Sequence, residues 1–479
     1  MTSEASSYRR ILWATSLIGR ATLLAALIGL VRNKAVALIG GPAAVGLLGI
    51  FTSLVTMGSS IATLGLDTSA VRQIAQPDLS EAETARTQRA IWTMAWPLAL
   101  IGGVAVWLFR DPLAQFAVGD AAYSNTVGWL GIGVAATVIG ASQLAILQGH
   151  GRLGDLARVR LWGSFLATLI GVAAVYHFGI AGILIAVLAM PLVIAITAFW
   201  LGRDLPRSNW KRLTQEKLSD HWRVLTSIGV LVMMTNIVVS LNELSIRAVV
   251  THRLGLDFAG LYVASHAIIS VNLSLLLNAI AADYYPRVSK VADDPKAMTL
   301  ILNQQLQVAL LLAGPLLAAV SLAAPLALTV LYSSAFADSA LLLRLLIIGG
   351  VLRLGIWPLG FILLSRRAGG AYLSAEIVAA SAIPIAWLLV PLIGLTGLGV
   401  AIIASALISF LAYYWQVRRG HGVYINRGNF ALLGLLMVFL CALAVTFEFS
   451  TMSGIALGIL GTAALCWRSY RLLRAAVAE

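Results

Sequence analysis

Charge is scarce in this sequence: 11% of its 479 residues are Asp, Glu, Lys or Arg, against 60% hydrophobic residues. A chain so poor in charge cannot clothe a water-soluble globule, so it is an integral membrane protein. Cysteine is nearly missing. Cys441 and Cys466 both fall in late apolar runs, which excludes a disulfide framework or a cysteine metal site and leaves them as inert packing residues. Neither the phosphate-loop pattern G-x-x-x-x-G-K-[ST] nor H-E-x-x-H nor G-x-S-x-G occurs, so ATP hydrolysis and the common hydrolase chemistries have no support. No long loop offers a soluble domain or the paired carboxylates of glycosyl transfer. The chain reads as a non-enzyme with no cofactor and no metal.

What is present is apolar length. Fourteen segments of roughly 17 to 25 residues can each cross about 30 Å of hydrocarbon as a helix. They lie near 11–31, 43–66, 91–109, 127–147, 161–178, 180–200, 224–250, 258–281, 301–322, 341–364, 372–394, 396–417, 429–447 and 451–467. They are continuously apolar, without the alternation of barrel strands. The expected fold class is all-α and polytopic.

The net charge of +13 raises the question of nucleic acid, and its placement answers it. With a cytoplasmic N-terminus, 25 of the 33 Lys and Arg fall in cytoplasmic loops and termini, 4 in external loops and 4 inside helices. This is the positive-inside pattern, so the basicity is a signal of topology and lipid surface, and no nucleic acid is expected. The N-terminal basic patch and apolar run mimic a signal peptide, but Arg20 at the run's centre marks an uncleaved first helix.

The chain is duplicated. RNKAVALIGGPAAVGLLGIF from Arg32 and IRAVVTHRLGLDFAGLYVAS from Ile246 are weak copies about 214 positions apart. The same offset pairs Asp111-Pro112-Leu113 with Ala324-Pro325-Leu326 and Gly179-x-x-Gly182 with Gly394-x-x-Gly397. Six helices per copy predict parallel repeats about an axis along the membrane normal, with a solute path between them. The expected division is a six-helix bundle over 1–205, a cytoplasmic linker over 206–223, a second six-helix bundle over 224–420, and two peripheral helices with a basic tail over 421–479.

Polar groups inside the apolar runs mark the path. Asn236, Ser240, Glu243 and Arg247 fall within about 60° on one helical face. A charge near the bilayer centre costs about 2.5 to 3.5 kcal/mol, so these groups line a cavity or pair with each other. Thr52, Thr56, Ser59 and Thr63 repeat the spacing with hydroxyls that either solvate a ligand or bond their own helix's carbonyls. His266 and Ser270 correspond to Thr52 and Thr56 across the repeat, His266 being a cavity or a packing residue. Arg20 sits near the middle of its segment with no acid in its helix, which points to an anionic ligand. Arg344 snorkels at an outer end, leaving Arg353 as the cavity residue of its helix. Asp67 and Arg72 in one copy and Asp283 and Arg287 in the other form either a cytoplasmic gate or ordinary anchors.

The run from Arg32, the segment AGLYVASHAIISVNLSLLLNAIAADYYPRVSKV and the stretch VLYSSAFADSALLLRLLIIGGVLRLGIWPLGFILLSRRAGGAYLSAE resemble the Wzx-type lipid-linked oligosaccharide flippases of the multidrug/oligosaccharidyl-lipid/polysaccharide exporter superfamily, over roughly residues 10 to 420. The resemblance implies alternating-access translocation of an undecaprenyl-diphosphate-linked oligosaccharide across a bacterial inner membrane, for O-antigen or similar surface polysaccharide. It implies membrane lipids, a polymerase and chain-length proteins as partners, and Arg20, Arg32, Arg247 and Arg353 as groups that hold the diphosphate. The last two helices exceed the common twelve and are similar to the fourteen-helix lipid II flippases. A multidrug or cation antiporter of the superfamily and a membrane polymerase or glycosyltransferase are the competing readings.

An even number of crossings and the charge asymmetry place both termini in the cytoplasm. A phosphatase reporter joined after Arg474 is expected to stay inactive; activity there, which requires a periplasmic location, excludes the even count.

Overall fold

The computed structural model describes the backbone of residues 2–75, 80–205 and 215–478. Side chains of 2–18, 215–232 and a few isolated positions, Asn278 among them, lie outside the described residues, as does most of the expected 206–223 linker. Every regular element described is helical. The first compact unit, Met1–His252, holds α1 (Thr2–Ala62), α2 (Leu66–Ile74), α3 (Glu81–Leu108), α4 (Arg110–Ala117), α5 (Ser124–Gly149), α6 (Leu153–Phe178), α7 (Gly182–Leu201) and nearly all of α8 (Gln215–Leu254). The second, Arg253–Glu479, holds α9 (Leu256–Lys290), α10 (Pro295–Leu322), α11 (Ala324–Leu331), α12 (Ala340–Ser365), α13 (Gly369–Ala379), α14 (Ala382–His421), α15 (Arg427–Phe449) and α16 (Thr451–Ala478).

Ten described stretches are long and apolar enough to cross a bilayer. Three of them, Gly19–Ala62, Leu153–Leu201 and Gly369–His421, run 44, 49 and 53 residues, about twice the ~20 that one crossing needs. Each is broken at a glycine that adopts the left-handed region: Gly41 at φ 67°, Gly179 at φ 58° and Gly394 at φ 61°. A side chain is strained at such φ, so glycine sets where the long apolar runs divide. Immediately after two of these breaks the chain lies against itself, because a Cβ on Gly182 would strike the Ala174 carbonyl and one on Gly397 the Leu389 carbonyl.

The duplication is visible element by element. Helices α3 and α10 both have 28 residues and start 214 positions apart; α4 and α11 have 8 each, also 214 apart; α5 and α12 have 26 each, 216 apart. The N-caps are matched in role: the Ser80 hydroxyl accepts from the Glu83 amide within a capping box, and the Asp294 carboxylate accepts from the Lys296 and Ala297 amides. The glycine breaks share their backbone geometry. Gly179 and Gly394 have ψ of −134° and −141°, and Gly41 and Gly255 have ψ of −166° and 172°, the last pair about 22° apart.

The copies differ in two helices. After Gly41 the helix stops at Ala62, with Leu64 and Gly65 left-handed, and α2 follows with Leu66, Ala70 and Ile74 packed against Ile91, Ala95 and Ile146. Its counterpart α9 runs unbroken to Lys290. Conversely α6 is continuous, whereas its counterpart breaks between α13 and α14. Pro384 has no amide to give the Ala380 carbonyl, which accepts instead from the Ile383 amide at 3.0 Å, and the Ser405 hydroxyl donates to the Ala379 carbonyl at 2.8 Å.

The first unit packs through small residues. Gly103 of α3 meets Gly131 of α5 so closely that a Cβ on Gly103 would sit 2.9 Å from the Gly131 carbonyl. In the second unit the C-terminal pair α15 and α16 packs against α10 and α12. Asn303 of α10, buried, donates to the carbonyls of Thr299 and Tyr424 at 2.8 and 2.9 Å, and its own oxygen accepts from the Asn426 amide at 2.8 Å. Buried Asn429 of α15 donates to the Asn303 carbonyl at 2.8 Å. Arg344 does not snorkel: only 4% exposed, it donates to the Ser321 carbonyl at 3.2 Å and lies 3.8 Å from the Phe447 ring centroid. Cys441 and Cys466 are exposed on α15 and α16 rather than packed.

Truncation after Ile425 uncovers Arg344 and strips Asn303 of a buried partner, a loss of about 1–3 kcal/mol for each uncompensated polar group. The truncated chain is expected to lose its monodisperse detergent-solubilised form on size exclusion; an intact elution peak with unchanged thermal stability refutes the structural role of α15 and α16.

Candidate functional site

The polar face of α8 meets the second limb of α1, residues 42–62. The Arg247 guanidinium donates through Nη1 to the Gly49 carbonyl at 2.7 Å, and its Nη2 lies 3.8 Å from the Glu243 carboxylate. Arg247 is 12% exposed and Glu243 45%. Two turns earlier on the same face, the Ser240 hydroxyl is 3.4 Å from that of Ser60. Asn236 continues the face outward and is exposed. The expected stripe is therefore a seam, with Glu243 and Arg247 paired as the four-residue spacing allows.

The hydroxyl row of α1 splits into two kinds of role. Thr52 and Thr56 donate to the Leu48 and Thr52 carbonyls at 2.7 and 2.9 Å, and Ser59 to Thr56 at 3.0 Å. Back-bonding within the helix satisfies these donors, while Thr52 and Thr56 remain exposed and keep lone pairs available. Ser60, which lies between the expected positions Ser59 and Thr63, is the hydroxyl that meets α8.

The first limb of α1 is longer than expected. The helix continues to the Gly41 break, so Arg32 and Lys34 lie inside it rather than in an external loop. At 1.5 Å per residue Arg32 is about 13 Å from that break and Arg20 about 31 Å. Arg247 precedes the matching Gly255 break by about 12 Å along α8, so Arg32 and Arg247 lie at similar distances along the chain from equivalent glycine breaks. Arg32 lies against α6, its Cδ 3.7 Å from where a Cβ on Gly171 would sit. The same interface holds Thr22 with Arg160 at 2.9 Å and the Ala25 carbonyl with Ser164 at 2.9 Å. Arg20 is exposed.

In the second unit, His266 of α9 is half-buried beside Tyr262, with ring centroids 5.5 Å apart, and Ser270 is 3.4 Å from its ring nitrogens. Arg353 is exposed on the otherwise buried middle of α12. It lies one turn beyond Gly350, whose face touches Ile269 and Leu273 of α9. The gate pairs are unequal. Arg287 binds Asp283 at 3.0 Å and reaches Gln304 at 3.4 Å. Asp67 and Arg72 are five residues apart, about 140° around α2, and no ion pair joins them among the described residues. No group of His, Cys, Asp and Glu suited to a metal ion is found among the described residues.

Sequence reasoning did not single out Gly49 as the partner of Arg247. A backbone carbonyl leaves no trace in residue type, and only its depth, eight residues past the Gly41 break, matches that of Arg247.

A sequence profile described as polysaccharide biosynthesis protein matches residues 36–341. The chain belongs to this polysaccharide biosynthesis family. Lipid III flippase of Escherichia coli (strain K12) is 20% identical over 386 residues, covering 80% of this chain and 92% of that protein, and the Shigella flexneri lipid III flippase matches equally. Among solved structures, lipid II flippase MurJ in an inward closed conformation superposes with a TM-score of 0.70 at 15% identity, covering 95% of this chain and 99% of that one. An inward-facing multidrug resistance MATE transporter of the MOP superfamily gives 0.68 at 17%, covering 82% and 94%. These likenesses establish the fold of that superfamily. The similar curated proteins are named flippases, and the chain is a multi-pass membrane protein.

The Ser60–Ser240 contact is testable directly. In a background carrying Cys441→Ala and Cys466→Ala, Ser60→Cys with Ser240→Cys is expected to cross-link under mild oxidation. Cleavage at a protease site inserted at 206–214 should then leave the fragments joined until reduction. Separation without reductant contradicts the seam.

Proposed function

We propose that this protein translocates an undecaprenyl-diphosphate-linked oligosaccharide from the cytoplasmic to the periplasmic leaflet of a bacterial inner membrane, in the synthesis of O-antigen or a similar surface polysaccharide. The reading is supported by Arg32 and Arg247 lying at similar distances along their helices from matching glycine breaks, inside stretches long and apolar enough to cross a bilayer. A diphosphate is an anion that the planar fork of an arginine binds through two bonds. Arg20 and Arg353, both exposed, serve the same ligand at other stages of its passage. The exposed hydroxyls of Thr52 and Thr56 and the amide of Asn236 solvate sugar, and the polyprenyl tail stays in lipid. His266 and the Asp67, Arg72, Asp283 and Arg287 set belong to the path and its cytoplasmic mouth. Fourteen crossings with both termini cytoplasmic, two six-helix bundles, and service to a polymerase and chain-length proteins complete the reading.

A likeness to MATE transporters supports cation or drug antiport as the second reading. That chemistry wants carboxylates free to bind cations, whereas Glu243 faces Arg247 and Glu376 accepts the Tyr413 hydroxyl at 2.7 Å. The basic character of the path favours an anionic cargo.

Arg32→Ala and Arg247→Ala are each expected to abolish surface glycan, by about tenfold or more, with membrane abundance near wild type, and the Lys variants to restore it only in part. Normal glycan display in both Ala variants removes these residues from the path; glycan loss that tracks protein loss makes them structural.

A further inference from the structure

The guanidinium of Arg247 is used unevenly. Its Nη1 end is committed to the Gly49 carbonyl at 2.7 Å, which anchors the head group to α1. The opposite edge, formed by Nε and Nη2, is the one that grips a carboxylate or phosphate through two parallel bonds. On that edge Nε is shut off from solvent with no hydrogen-bond partner, and Nη2 has only the Glu243 carboxylate at 3.8 Å, beyond hydrogen-bond length. A buried donor left unmade is costly, and a carboxylate one turn away could relieve it by a small rotation, yet here it stands off. Glu243 is also the more exposed partner, 45% against 12%, so it is the group with room to move.

We propose that Glu243 is an internal counter-ion that competes with the anionic ligand for the unpaired Nε–Nη2 edge of Arg247. With no ligand, Glu243 offsets the arginine's charge inside the bilayer, at a distance too long to hold it firmly. An arriving phosphate displaces the carboxylate at Nη2, and it gains the buried Nε donor as the side chains covering that edge move aside. The return of Glu243 to the edge then helps the ligand leave, which keeps a deeply placed arginine from becoming a trap. Gly49 supplies the constant part of the site, because a main-chain carbonyl neither titrates nor dissociates. A transporter gains from weak, reversible binding at an intermediate site, and an adjacent acid of the opposite sign provides it without removing the cation. This inference rests on the reading of Arg247 as a ligand group and assigns Glu243 a role in release rather than in binding.

The experiment measures binding of undecaprenyl diphosphate to the purified full-length protein in nanodiscs, with undecaprenol as the control that lacks phosphate. Wild type, Glu243→Gln, Arg247→Ala, Arg247→Lys and the double variant Glu243→Gln with Arg247→Ala are compared, each checked for monodisperse elution. Glu243→Gln is expected to bind the diphosphate about three- to tenfold more tightly than wild type and to release it more slowly. Arg247→Ala should weaken binding by about tenfold or more, Arg247→Lys should fall between, and the double variant should match Arg247→Ala. Undecaprenol binding should not change in any variant. If Arg247→Ala loses affinity while Glu243→Gln binds no better than wild type, the counter-ion role is overturned and the arginine reading stands. If Arg247→Ala binds as wild type does, both fall. Tightening by Glu243→Gln that persists in the double variant also overturns the proposal, since the carboxylate then acts without the arginine.

Discussion

Hydrocarbon cannot hydrogen-bond to a peptide group, and everything in this structure follows from that. Each stretch inside the bilayer must close its main-chain bonds within a helix, so the chain can change direction only where a residue tolerates the break. Glycines with positive φ supply those places at Gly41, Gly179, Gly255 and Gly394. Between α13 and α14, where no glycine stands, the Ile383 amide turns to the Ala380 carbonyl that Pro384 cannot serve, and a serine hydroxyl takes up the Ala379 carbonyl. The same rule governs the buried side chains. Asn303 and Asn429 exchange bonds across α10 and α15, and Arg344 is matched by a carbonyl and an aromatic face.

Against that background the seam between α8 and α1 is incompletely satisfied. Most buried polar groups of the second unit named above have partners at 2.7 to 3.2 Å. Arg247 instead has one short bond, one loose ion pair and one orphaned donor. Structural ion pairs in low dielectric tighten because leaving them loose is expensive. A site with unspent donors at mid-depth is suited to meeting something else, which is why the proposed anion and its competitor are placed there rather than at the well-paired Arg287 and Asp283.

The superfamily fold carries flippases and multidrug transporters alike, so architecture alone does not choose the cargo. The choice comes from the sign of the charges placed in the helices. The proposed anionic head group rests on Arg32 and Arg247, and a duplicated scaffold explains why these two recur at about the same distance from matching glycine breaks.

Composition, the spacing of apolar runs and the distribution of Lys and Arg determined a polytopic helical membrane protein, because transfer free energy depends on residue type and length alone. The repeat was legible too, since Gly41 and Gly255, or Gly179 and Gly394, must be glycine to adopt their backbone angles. Periodicity placed Asn236, Ser240, Glu243 and Arg247 on one face, which the fold keeps. Helix ends were less legible: nothing in RNKAVALI announces that the helix continues past Arg32 to Gly41. The buried state of Arg344 and the packing of α15 and α16 on α10 depended on Phe447, Asn426 and Asn429, which are distant in sequence and unremarkable by type. The partner of Arg247 is a carbonyl, present at every residue, and only tertiary packing could decide that it belongs to Gly49.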